Sequence, residues 1–167
     1  VNRLVRQVTV GDVALAEGAY AEAWQLLEES VTVSREIKDR ESLDYGLAVL
    51  GYAARGLGQP PQAERCFSKA LRSSAEVRSF IHLLLVLPGI ALLLADRGEV
   101  ERAVELYALA SRYRVVANSH WFEDIAGRHI AAAAATLPTE VVAAAQERGR
   151  ARDLDATVAE LLAELEG

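Results

Sequence analysis

Glycine recurs at a fixed distance in this chain, and this recurrence limits the folds that the chain can form. Gly18, Gly58 and Gly98 lie 40 residues apart. Three further sets of small or apolar residues keep the same distance: Ala23, Ala63 and Ala103; Leu27, Phe67 and Tyr107; Ser30, Ala70 and Ala110. A fixed period of this length indicates a repeat protein in which each unit packs on its neighbours.

The apolar residues between these glycines follow a helical period and not the alternation of a strand. Gly58 ends one such helix, where a left-handed residue is needed. Pro60 and Pro61 open the next helix, because the N–H groups of a first turn have no partner within the helix. We therefore predict helix pairs over residues 2–40, 41–78 and 79–117, within one domain that covers residues 1–167.

The segment Phe80–Ala95 is the most apolar in the chain, and it contains Pro88 beside Gly89. A proline inside a helix removes one hydrogen bond and clashes with the preceding turn, so we expect a bend there. The segment is shorter than the roughly 20 apolar residues of a membrane span. We predict a buried helix and no contact with a membrane.

The residues after the third pair break the pattern. We predict a helix over about 119–136 capped by Asn118 or Ser119, and a short helix over 140–148 that Gly149 ends. A last helix over 154–165 follows, with Asp153 as its cap. Because a stack of repeats must cover its last apolar face, residues 118–167 are interpreted as capping helices.

The motif of the second unit resembles the tetratricopeptide repeat. Its key residues follow the order of that family: Leu50, Gly51, Gly58, Ala63, Phe67 and Ala70. The resemblance implies an all-α, right-handed α-solenoid with a C-terminal helical cap. It also implies that small residues allow the two helices of each unit to cross closely, at the positions Gly11, Gly51, Ala91 and Ala131.

The period of 40 residues exceeds the usual 34 or so of that family. Longer units of this kind resemble the C-terminal sensor regions of bacterial LuxR-type and maltose-activator-like signal-transduction ATPases. Two stretches carry that likeness, SREIKDRESLDYGLAVLGYAARGLG at 34–58 and ERGRARDLDATVAELLAEL near the end. The resemblance implies a protein-binding or effector-sensing segment of a bacterial cytoplasmic regulator.

Composition excludes several classes of function. A net charge of −6 argues against a nucleic-acid-binding face, which needs clustered Lys and Arg. Cys66 is the only cysteine, which fits a reducing cytosol and a small core residue. The chain begins with valine and contains no methionine, so we expect a fragment of a larger protein.

Helix A of each unit lines the concave groove in such stacks, and the repeat register places residues there. The unit before Gly18 contributes Val8, Thr9, Asp12 and Leu15. The possible partner contacts of the later units are Tyr45, Tyr52, Arg55, Leu92, Asp96, Arg128 and His129. A groove of this composition suits an apolar helix or a peptide, or another domain of the same chain. The missing part of the parent protein or a second copy could equally cover it.

No motif in the sequence predicts catalysis, a cofactor or a metal. His82, His120 and His129 lack the spacing of a metal set, and the serines lack a nucleophile motif. We therefore expect a protein that is not an enzyme. Two alternatives stay open: a homo-oligomerisation module that acts through the apolar third repeat, and a small-molecule effector-binding domain.

Overall fold

The computed structural model describes residues 2–166 and the side chains from Val5 onward. Every regular element within these residues is helical, which confirms the predicted all-α class. The helices are α1 (Asn2–Ala16), α2 (Tyr20–Glu36), α3 (Arg40–Gly56), α4 (Pro60–Glu76), α5 (Phe80–Asp96), α6 (Val100–Ser111), α7 (Arg114–Ala117), α8 (His120–Phe122), α9 (Arg128–Ala134), α10 (Thr139–Ala151) and α11 (Leu154–Glu166). A π-helical segment, Glu123–Gly127, joins α8 to α9.

Three-residue connections separate the first six helices, and each has a left-handed residue at its centre. The φ angles are 77° at Gly18, 59° at Lys38, 70° at Gly58, 52° at Arg78 and 85° at Gly98. In each connection the following N–H donates to a carbonyl five residues back, as from Gln59 to Ala54 at 3.0 Å. This arrangement satisfies the last carbonyls of each helix. The predicted glycine turns are confirmed at Gly58, and Lys38 and Arg78 adopt the same conformation without being glycine.

The chain divides into two compact units, one ending at Leu85 and the other beginning at Val86 within α5. In the first unit α1 packs on α2, α2 on α3 and α3 on α4, in the order of the chain. In the second unit α6 packs on α7, α9 and α10.

Two of the predicted close crossings lie in the first unit. A Cβ added to Gly11 would lie 2.9 Å from Leu27 Cγ, and one added to Gly51 would lie 2.5 Å from Phe67 Cε1. Both glycines are therefore required by packing between the helices of a pair. Ala91 is fully buried, but Ala131 is exposed, so no close crossing excludes a larger side chain there.

One predicted helix boundary in the second unit is wrong. Gly149 does not end a helix but lies inside α10, where an added Cβ would overlap the Glu105 carbonyl oxygen of α6. Its role is to let these two helices approach. Within the third unit, predicted over residues 79–117, the second helix ends at Ser111 and the short α7 follows, because Tyr113 has an extended backbone.

The predicted caps are confirmed at both ends of the C-terminal region. The Phe122 N–H donates to Ser119 Oγ at 3.2 Å, and the Ala156 N–H donates to Asp153 Oδ1 at 2.8 Å. Pro60 begins α4 as predicted, and α5 continues through the buried Pro88. Among the described helices, none combines the length and apolar character needed to cross a membrane.

Candidate functional site

Three helices of the first unit bring polar side chains together on one surface. Asp12 lies on α1, Tyr45 on α3 and His82 near the start of α5. The Tyr45 hydroxyl donates to Asp12 Oδ2 at 2.6 Å. The rings of Tyr45 and His82 meet edge to face, with centroids 6.5 Å apart and planes at 61°. Two residues of the predicted groove, Asp12 and Tyr45, are thus in direct contact, and His82 joins them.

Burial changes the acid–base properties of this cluster. It raises the pKa of Asp12 to about 6, and the hydrogen bond from Tyr45 opposes that rise because it favours the carboxylate. Burial, followed by the charge of Asp12 and the hydrogen bond to it, raises the pKa of Tyr45 well above its usual value. Tyr45 therefore stays a hydrogen-bond donor at every physiological pH, while Asp12 changes charge near pH 6.

A pocket of about 260 Å³ lies beside the cluster. Its lining combines apolar, hydroxyl, carboxylate and aromatic groups: Val5, Val8, Thr9, Glu41, Ser42, Tyr45 and His82. His82 is only 7% exposed, and its imidazole makes no hydrogen bond with another described residue. A buried imidazole that borders a pocket can donate to or accept from a ligand. Polar recognition here would therefore fall to His82 and to the exposed carboxylate of Glu41, with an apolar contact at Val8.

Residues close in sequence hold the start of α3, which forms one side of the pocket. Asp39 caps this helix, since its Oδ1 accepts from the Ser42 N–H at 3.1 Å and its Oδ2 from the Ser42 hydroxyl at 2.7 Å. Both bonds lower the pKa of Asp39, and the bond from the Ser42 hydroxyl has the larger effect. On α1 the Thr9 hydroxyl donates to the Val5 carbonyl at 2.9 Å. The hydroxyl groups that border the pocket are thus held by their own helices.

Three residues predicted to line the groove are core residues, and the prediction needs correction at each of them. Leu15 is 3% exposed. Tyr52 is 3% exposed, its hydroxyl donates to the Leu85 carbonyl at 2.6 Å, and its ring packs edge to face on Phe67. Leu92 is 1% exposed. The repeat register placed them on helix A correctly, but an aromatic or aliphatic side chain at these positions turns into the core.

The remaining predicted contacts are accessible to different degrees. Arg55 is half-buried on α3, Asp96 is exposed at the end of α5, and on α9 Arg128 is exposed and His129 half-buried. Arg128 lies 4.0 Å from Asp124, one turn earlier, with both side chains about half exposed. An ion pair of this kind contributes little to stability, which leaves the arginine available to a partner.

The second unit contains a pocket of about 290 Å³ that the sequence did not predict. It lies between α6, α9, α10 and the π-helical segment, with Tyr107, Glu123 and Gly127 in its lining. An added Cβ on Gly127 would lie 2.6 Å from the Tyr107 hydroxyl and would overlap the Glu123 carboxylate. Burial, and to a lesser degree the charge of Glu123, raises the pKa of Tyr107. A single π-helical turn often marks a functional position.

Two arginines near the end of the chain, Arg148 and Arg152, are paired with carboxylates. Arg148 forms ion pairs with Glu105 and with Glu101, and Arg152 pairs with Glu105 and Glu160. The arginines therefore connect α10 and the residue after it to α6 and α11.

Cys66 is buried, and burial raises the pKa of its thiol, so the side chain serves as a core residue. No group of three or more His, Cys, Asp or Glu side chains in residues 5–166 is arranged to hold a metal ion. No protein-family model, curated protein or solved structure matches this chain. The geometry of the two pockets and the sequence motifs are thus the basis for assigning a function.

Proposed function

We propose that this chain is a protein-binding scaffold built of tetratricopeptide-like repeats stacked as a right-handed solenoid. In this proposal it is the regulatory C-terminal part of a bacterial cytoplasmic transcription regulator or signalling ATPase. The motif of the second unit supports the repeat assignment. The spacing of the helices supports it further, since α2 to α6 begin at Tyr20, Arg40, Pro60, Phe80 and Val100.

The observation that carries the proposal is the pocket that α1, α3 and α5 form beside Asp12, Tyr45 and His82. Its volume of about 260 Å³ lies just below the usual range of small-molecule pockets, so an apolar side chain that projects from a peptide or helix would fill it. Val5, which borders the pocket, is 58% exposed and extends the apolar surface around it. A peptide could therefore insert one anchor residue and hydrogen-bond to the imidazole of His82.

Selection from a random peptide display library tests the proposal. We expect selected peptides to share an apolar anchor and to perturb the NMR signals of residues around Val8, Thr9 and His82. Signal changes confined to other helices would contradict the assignment of this pocket. Failure to select any peptide would contradict the binding function itself.

A small-molecule effector site is the second candidate, and the pocket of the second unit favours it. The lining of this pocket includes the apolar residues Val104 and Ile130 and the polar residues Tyr107, Glu123 and Arg150. Such a combination suits a small metabolite with an apolar body and polar ends. Thermal unfolding in the presence of a metabolite library tests this, with Gly127→Ala as the variant that fills the pocket. A stabilising compound that acts equally on the variant would contradict binding at this position.

A further inference from the structure

Helix α1 carries an exposed apolar face that differs from the face at the pocket. Val10 is 41% exposed and Val13 is 52% exposed. Arg6 lies four residues before Val10, Glu17 lies four residues after Val13, and both are exposed. The Glu17 N–H donates to the Val13 carbonyl at 3.0 Å, so helical geometry continues to Glu17. With 3.6 residues per turn, the four side chains share one face.

The corresponding face of α3, formed by the residues 40 positions later, is covered by another helix. The residues 40 positions after Val10 and Val13 are Leu50 and Ala53, which are 4% and 0% exposed. The residue 40 positions after Arg6 is Gly46, where an added Cβ would lie 2.7 Å from Val31 on α2. The face of α3 that corresponds to the exposed face of α1 is therefore covered by α2. On α1 no described residue buries this face, which leaves a surface suited to another helix.

The charges on this face make it complementary to itself. The spacing from Arg6 to Val10, Val13 and Glu17 is four, three and four residues, so it is the same in both directions. When two such helices lie antiparallel, Arg6 faces Glu17 of the other copy and Val10 faces Val13. Neither Arg6 nor Glu17 forms an ion pair with another side chain in the described part of the chain.

The helix dipole favours the same arrangement. Cations are stabilised near the C-terminus of a helix and anions near its N-terminus. In α1 the order is reversed, with Arg6 toward the N-terminus and Glu17 just beyond the C-terminus. An antiparallel partner would place Arg6 beside the C-terminus of the second α1 and Glu17 beside its N-terminus.

We propose that two copies of this chain associate through α1 as an antiparallel, two-fold symmetric helix pair. Val10 packs on Val13 of the second copy, and Arg6 pairs with its Glu17. A two-fold interface of this kind uses the same patch on both copies. Among the pocket residues of α1, Val8 lies on the opposite side of the helix from this patch, whereas Thr9, one turn before Val13, borders it. The patch is smaller than a standard interface, so we expect a dissociation constant on the order of 10 μM.

Sedimentation equilibrium at low ionic strength tests the dimer. We expect Arg6→Glu and Glu17→Arg each to weaken self-association by about tenfold or more, because like charges then face each other. An equimolar mixture of the two variants should associate again, since R6E presents only acidic groups on this face and E17R only basic ones. Arg114→Glu, an exposed charge reversal on α7, is the matched control and should leave the dimer unchanged.

A separate variant and control test the apolar contact between Val10 and Val13 of the two copies. Val10→Ser with Val13→Ser should abolish the dimer, whereas Val115→Ser, at a residue that is 44% exposed on α7, should not. Circular dichroism establishes that each variant is folded. A wild-type chain that stays monomeric up to about 1 mM would overturn the proposal. A dimer that tolerates both charge reversals, or a mixture that fails to reassociate, would overturn it as well.

Discussion

The hydroxyl of Tyr45 donates a hydrogen bond of 2.6 Å to the carboxylate of Asp12, and this bond joins α3 to α1 across the wall of the pocket. The bond connects two helices that are not consecutive in the chain. It also places an acid with a raised pKa beside the half-buried ring of Tyr45 and the buried ring of His82. Both stability and recognition at this surface should therefore depend on the charge of Asp12.

Asp12 should make the chain less stable as the pH rises. The ordinary pKa of an aspartate is 3.8, and that of Asp12 in the folded protein is about 6, so the folded state binds the proton more tightly than the unfolded state does. The stabilising contribution is complete below pH 3.8 and is lost as the pH rises through 6, by about 1–2 kcal/mol for a partly exposed group. Urea unfolding of the wild type and of Asp12→Asn measures it as the difference between their pH profiles.

In Tyr45→Phe the carboxylate loses a donor, so the pKa of Asp12 should rise further and the loss of stability should move to higher pH. If the difference between the profiles of the wild type and Asp12→Asn is independent of pH between about 4 and 7, the proposed burial of this carboxyl is wrong.

Replacement of the left-handed residues between helices should change stability in opposite directions at Arg78 and at Gly58. Arg78 has φ 52°, which costs about 1–2 kcal/mol for a residue with a Cβ. Arg78→Gly should therefore stabilise by about 0.5–1 kcal/mol after the entropy cost of glycine. Gly58→Ala should destabilise by about 1 kcal/mol, although nothing lies within 4 Å of the added Cβ. Equal effects of the two substitutions in thermal unfolding would contradict this explanation.

Gly149→Ala should destabilise the second unit by about 1–3 kcal/mol, because the new Cβ overlaps the Glu105 carbonyl and forces α10 away from α6. Glu147→Ala, an exposed position on the same helix, should change the free energy of unfolding by less than about 0.5 kcal/mol. Chemical denaturation measures both. A stabilising effect of alanine at residue 149, as helix propensity alone predicts, would show that the two helices can separate without cost.

Arg152 should be coupled to Glu105, which is largely buried for a carboxylate, with a side chain that is 14% exposed. Its guanidinium also binds Glu160 and the Thr157 hydroxyl, so it connects α6 to α11. A double-mutant cycle with Arg152→Ala and Glu105→Ala should give an interaction energy of about 1 kcal/mol that decreases at high salt. Additive effects of the two substitutions would mean that the pair contributes nothing.

Patterns with a local cause could be predicted from the sequence. The glycine turns, the proline start of α4 and the caps at Ser119 and Asp153 depend on residues close in the chain, and they were predicted correctly. These features require no knowledge of distant contacts. The close helix crossings at Gly11 and Gly51 were implied by the resemblance to the tetratricopeptide repeat.

Features that depend on tertiary approach were missed. Gly149 has the signature of a helix stop, but its role depends on the backbone of α6, which is distant in the sequence. Tyr52 was placed on a groove because a helical register cannot distinguish a side chain that lies along the surface from one that turns into the core. His82 lies within an apolar segment, and only its position beside Tyr45 shows that it borders a pocket.

The most direct test of the proposed binding function is the affinity of a selected, fluorescently labelled peptide for the wild type and for Val8→Asp, measured by anisotropy. Val115→Asp, which replaces a valine on α7 that is 44% exposed, is the matched control. We predict that Val8→Asp weakens binding by about tenfold or more, since a charge would occupy the apolar wall of the pocket, and that Val115→Asp binds as the wild type does. Equal affinities of the wild type and Val8→Asp would contradict the assignment of peptide binding to this pocket.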